Sequence, residues 1–181
     1  VFMGDRLIRV AQLKPAMYIR GTEEIFTDMA LREEIADAVF HHLRRFYVEY
    51  LSRILQASAG KIDIVLTGDD FGAQHGLLLS TDMWRRFVRP GFTDYLSCIR
   101  DHGALSMHHT CGSVVELIPD FIECGLDVLQ SLQPEAAGME FGDLYDRFGS
   151  SMSFQGGISI QRTLPFGTPE DIRDEVARIA G

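Results

Sequence analysis

Four short apolar runs, each followed by a helical stretch, constrain this chain more than any other feature. Residues 62–67 (IDIVLT) are rich in β-branched side chains and bounded by Gly60 and Gly68, the pattern of a buried parallel strand. Residues 104–108, 126–129 and 151–155 read as further strands. Between them lie helix signals. Ser80 caps a helix over 81–101, with Asp82 in its first turn and a bend expected at Pro90-Gly91. A helix over 114–124 ends at Gly125, a short one covers 141–147, and Thr168 before Pro169, Glu170 and Asp171 opens the last. Upstream, apolar residues recur at helical spacing over 30–55, ended by Ala59-Gly60. A fifth strand is expected at 16–19. Such alternation predicts an α/β fold with a parallel sheet. A (β/α)8 barrel normally takes about 250 residues and at least roughly 200. The 181 residues here therefore predict a partial (β/α)8 TIM barrel, four or five of the eight units, in one linker-free domain cut at both ends.

Composition narrows the function classes. Apolar residues make up 46% and charged residues 24%, which excludes disorder, collagen and coiled coil as the main character. A net charge of −9 argues against a nucleic-acid partner, since phosphates call for a basic face. No apolar run approaches the roughly 18 residues of a membrane span, and no secretory leader is visible. Cys98, Cys111 and Cys124 do not make a disulfide framework, so a reducing cytoplasm is expected.

In parallel α/β folds the active groups gather where strands end. Four polar clusters fall there: Asp69 and Asp70; His108, His109 and Cys111; Gln130 and Gln133; Gln155, Gly156 and Gly157. Packing alone does not account for such convergence, which points to a small-molecule site. The imidazole of His109 and the thiol of Cys111 can meet at one ion, and zinc takes N and S ligands readily. The other reading is a buried thiol beside a hydrogen-bonded histidine. Cys98 and Cys124 lie on expected helices, so neither supplies an obvious third ligand. Of Asp69 and Asp70 only one can face the pocket as an acid, base or orienting group; the other reading is a capping aspartate in the Gly68–Gly72 turn. His108, Gln130 and Gln155 are candidate substrate contacts, or groups that satisfy the rim backbone. Gly156 allows a ligand to approach the backbone closely. His41 and His42, on the long helix, read as surface or core residues rather than ligands.

Three segments and the helix before them carry a resemblance: LTGDDFGAQHGLLLSTDMWRRFVRP at 66–90, MHHTCGSVVELIPDFIECGLDVL at 107–129 and SFQGGISIQRTLPFGTPEDIRDEV at 153–176. In their order and spacing the chain resembles the uroporphyrinogen decarboxylase superfamily, which includes corrinoid-dependent methyltransferases acting on coenzyme M and related acceptors. The His-Thr-Cys turn is similar to the methyltransferase branch. That resemblance implies zinc held by His109 and Cys111 with a third ligand beyond Gly181, a methyl-corrinoid as methyl donor, and a corrinoid protein as partner. Zinc there lowers the pKa of the acceptor thiol. The decarboxylase branch is similar at Asp69 or Asp70 and at the FQGGI strand. It implies decarboxylation of a tetrapyrrole with acetate side chains, assisted by a pocket carboxylate. A third reading is a binding-only or inactive barrel piece that pairs with another copy through an exposed sheet edge.

Overall fold

The computed structural model describes residues 2–3 and 10–180. Its frame is a five-stranded, all-parallel sheet: β1 (Phe2–Met3), β2 (Ile64–Gly68), β3 (Leu105–His109), β4 (Val128–Leu132) and β5 (Ser153–Gly156). The strands lie in sequence order. A doubly wound sheet reverses its order at a switch point, whereas a barrel runs on in one direction. Unbroken order is thus that of an arc of a (β/α)8 barrel.

Between the strands run α1 (Leu13–Arg20), α2 (Thr22–Leu31), α3 (Glu33–Ser58), α4 (Thr81–Met83), α5 (Arg89–Asp101), α6 (Ile118–Cys124) and α7 (Phe141–Phe148), and after β5 come α8 (Thr163–Phe166) and α9 (Pro169–Ala180). α3 buries Phe40, Leu43, Tyr47, Leu51 and Leu55, one stripe at helical spacing. It stops where Ala59 and Gly60 adopt left-handed φ of 49° and 77°. Thr168 and Asp171 cap α9 reciprocally, each side chain accepting from the other's backbone N–H. Under the sheet, Trp84, Phe92 and Phe121 pack with Phe71 and His108 as a cluster of rings. No helix among the described residues is long and apolar enough to cross a membrane.

Two expectations are corrected. Residues 16–19 form no strand; they lie in α1. The run Ala-Met-Tyr-Ile fits either element by pattern, and a carboxylate far away in sequence decides it. The backbone N–H groups of Gln12, Leu13 and Lys14 all donate to Asp69, at 2.5, 2.8 and 2.7 Å, satisfying the orphan donors that open a helix. The single helix expected over 81–101 is interrupted just before Pro90 by a π-helical turn over Trp84–Val88. Pro90 has no N–H for the carbonyl four residues back, and the turn widens until Arg89 N–H reaches the Trp84 carbonyl. The Gln12 amide donates to the Val88 carbonyl at 2.8 Å and fills the space beside Gly91.

Candidate metal centre

The sheet register sets out the site. Gly68 pairs with His109, His109 with Gln130, and Gln130 with Gln155. Paired residues on neighbouring parallel strands project to the same side of the sheet. His108 and His109, being consecutive, project to opposite sides. His108 is fully buried, stacked on Phe71 at 5.4 Å and held by the Thr67 hydroxyl at 2.8 Å from Nδ1. It belongs to the ring cluster, away from the substrate side where sequence reasoning put it. His109 turns to the rim.

There His109 meets two other donors. Its Nε2 lies 3.5 Å from Cys111 Sγ and 3.8 Å from Asp70 Oδ1, and the three ligating atoms lie within 4.8 Å of one another. Zinc bonds of about 2.0–2.3 Å in a tetrahedral arrangement place ligand atoms roughly 3.4–3.6 Å apart. The observed spacings match that requirement with small side-chain adjustment. The donor set of nitrogen, sulfur and oxygen is one that zinc accepts.

Gln130 selects the tautomer. Its Oε1, an acceptor only, is 2.8 Å from His109 Nδ1, so Nδ1 carries the proton and Nε2 keeps its lone pair for Cys111 and Asp70. Zinc affinity of Gln130→Leu is expected to fall roughly tenfold, read by chelator competition; an unchanged affinity would show that the amide does not orient the imidazole.

Backbone contacts fasten the two loops that carry the donors. Phe71 N–H donates to the Thr110 hydroxyl at 3.0 Å, Cys111 N–H to Asp70 Oδ1 at 3.1 Å and Ser113 N–H to the Ala73 carbonyl at 2.8 Å. Gly112 makes this closeness possible. Its φ is +78°, and a Cβ there would stand 2.5 Å from the Gly72 carbonyl carbon. Gly112 N–H is also held by Gln133 Oε1 at 2.7 Å. Gly112→Ala is expected to cost about 2 kcal/mol or more, from left-handed strain plus the clash. A melting point equal to wild type would refute this.

Charge distribution separates the two aspartates. Asp69 is 2% exposed, and burial pushes its carboxyl up to about 6 despite its three N–H donors. Asp70 is partly exposed. Partial burial alone would raise its carboxyl, but the Cys111 N–H and the Lys14 ammonium, 3.2 Å away, hold it below the ordinary value. The Cys111 thiol is pushed up, by burial first and then by Asp70.

A cleft of about 960 Å3 opens between α1, α3 and the ends of β2 and β3, with Asp70 and His109 in its wall. Gln155 and Gly156 lie exposed further along the rim. Two contributors escaped sequence reasoning. Lys14 sits in the first turn of α1, a helix that was not expected. Ser131, which acts on the Cys111 thiol against the upward push of burial, adopts φ +76° at a bulge of β4; nothing in the sequence marks it.

The profile of the family described as Uroporphyrinogen decarboxylase (URO-D) matches residues 11–181. The chain belongs to the uroporphyrinogen decarboxylase family. No curated protein and no solved structure matches it. Membership agrees with the barrel arc, and for this family member the strand-end rim is where chemistry is expected.

Proposed function

We propose that this chain is a zinc-dependent methyltransferase that moves a methyl group from a methyl-corrinoid to a thiol acceptor. One observation carries the reading: the ligating atoms of Asp70, His109 and Cys111 lie within 4.8 Å of one another, with Asp70 and His109 in the wall of the cleft. Three protein ligands with one open position is the arrangement of a catalytic zinc site. Zinc would supply the Lewis acidity that makes an acceptor thiol a nucleophilic thiolate at neutral pH. Asp70, His109 and Cys111 would hold the ion, His109 steadied by Gln130 and Asp70 by the Cys111 N–H. A methyl-corrinoid would supply the methyl group, whose carbon would pass from cobalt to the acceptor sulfur. The electron pair of the carbon–cobalt bond would remain with the corrinoid, and the thiol proton would leave to solvent. A corrinoid protein is the expected donor partner.

The alternative, decarboxylation of a tetrapyrrole bearing several acetate groups, calls for several cations. Among the described residues of the cleft wall Lys14 is the one lysine or arginine, and Asp70 already engages it. The methyltransferase reading is therefore preferred. Cobalt(II) titrated into the purified chain is expected to give a thiolate-to-metal charge-transfer band at one ion per chain. A featureless titration would sink the proposal.

A further inference from the structure

We infer that the acceptor is a thiol with an aromatic or similarly flat apolar body, seated in the cleft between α1 and α3; this rests on the metal reading above. The donors themselves give the direction. Asp70 and His109 line the cleft and Cys111 does not, so a molecule holding the open coordination position extends along α1 and α3. What it meets there is apolar. Ile19 and Tyr18 on α1 face Val39, Leu43, Phe46 and Tyr47 on α3 across the opening. Ile19 is 70% exposed, Tyr18 66% and Phe46 61%, an unusual concentration of large apolar side chains left in water on two facing helices. An apolar body laid between them removes that surface from water.

Size points the same way. A cleft of about 960 Å3 is at the upper end of small-molecule sites, which run from roughly 300 to 1,000 Å3. A two-carbon thiol would leave most of it filled with water against apolar walls.

The test uses the whole chain loaded with cobalt(II), whose visible bands shift when a thiol enters the coordination sphere. Phenylmethanethiol is expected to half-saturate the shift at a concentration at least roughly tenfold below that of 2-mercaptoethanol. Ile19→Glu and Phe46→Ser, both at exposed positions, are expected to abolish this preference and leave the cobalt titration unchanged. Equal half-saturation by the two thiols, or a preference that survives both substitutions, overturns the inference while the metal reading stands. So does a dimer that Ile19→Glu converts to monomer, since a second copy would then be the occupant of the cleft. A cobalt spectrum indifferent to His109→Ala and Cys111→Ala overturns the metal reading, and this inference with it.

Discussion

Zinc binding is expected to weaken at least roughly a hundredfold in His109→Ala and in Cys111→Ala, measured by competition with a chelator of known affinity. Each substitution removes one of three protein donors, and two donors do not hold zinc in a closed arrangement. The comparison is clean because neither side chain supports the core: both are partly exposed at the rim. Melting of the metal-free variants is therefore expected to stay within about 1 kcal/mol of wild type. Asp70→Asn keeps the shape and one carbonyl-type oxygen, so its loss is expected to be smaller. If Cys111→Ala kept wild-type affinity, the thiol would be no ligand and the methyl-transfer proposal would lose its basis.

The second large effect concerns stability alone. Asp69→Ala is expected to cost about 4 kcal/mol at neutral pH, because two buried N–H groups and one part-buried N–H at the start of α1 lose their acceptor, at about 1–3 kcal/mol for each buried group. For a chain of this length each kcal/mol moves the melting point by roughly 2–4 °C, so a fall of about 8–16 °C is expected in calorimetry. The pH dependence provides an independent signature. Folded Asp69 titrates at about 6, above its ordinary 3.8, so the folded state binds its proton more tightly than the unfolded chain. That contribution is fully present below the ordinary value and is lost as pH rises towards 6. Asp69→Ala is expected to remove this downward slope. A melting point within 2–3 °C of wild type, roughly 1 kcal/mol, would show that water or a neighbour replaces the carboxylate.

Much of the fold could be read from residues that speak for themselves. The run around Ile64–Thr67 is apolar along its length and glycine-bounded, as a strand covered on both faces must be. The helix over Phe40–Leu55 declares itself through its period. What could not be read was decided at a distance. α1 is fixed by Asp69, 57 positions from Gln12, and no local pattern contains that information. The pairing of His109 with Cys111 was legible from their spacing. The arrival of Asp70 was not, because it depends on Gly72 and Gly112 letting two loops touch. Between the two aspartates both readings had a place: Asp69 is the capping carboxylate, though of a helix upstream rather than of its own turn, and Asp70 faces the cleft. His108 and His109 illustrate the period of two: adjacent identical side chains, one among the rings and one at the rim.

That last contrast has an evolutionary consequence. Along β3 neighbouring residues answer to different demands, His108 to the packing beneath and His109 to whatever the rim must recognise. Gly68, Gln130 and Gln155 occupy the same level on the other strands. Each can be exchanged singly, like a tooth on a comb, without disturbing the rings below. A lineage built on this scaffold can thus trade one reaction for another by small steps, keeping its foundation throughout.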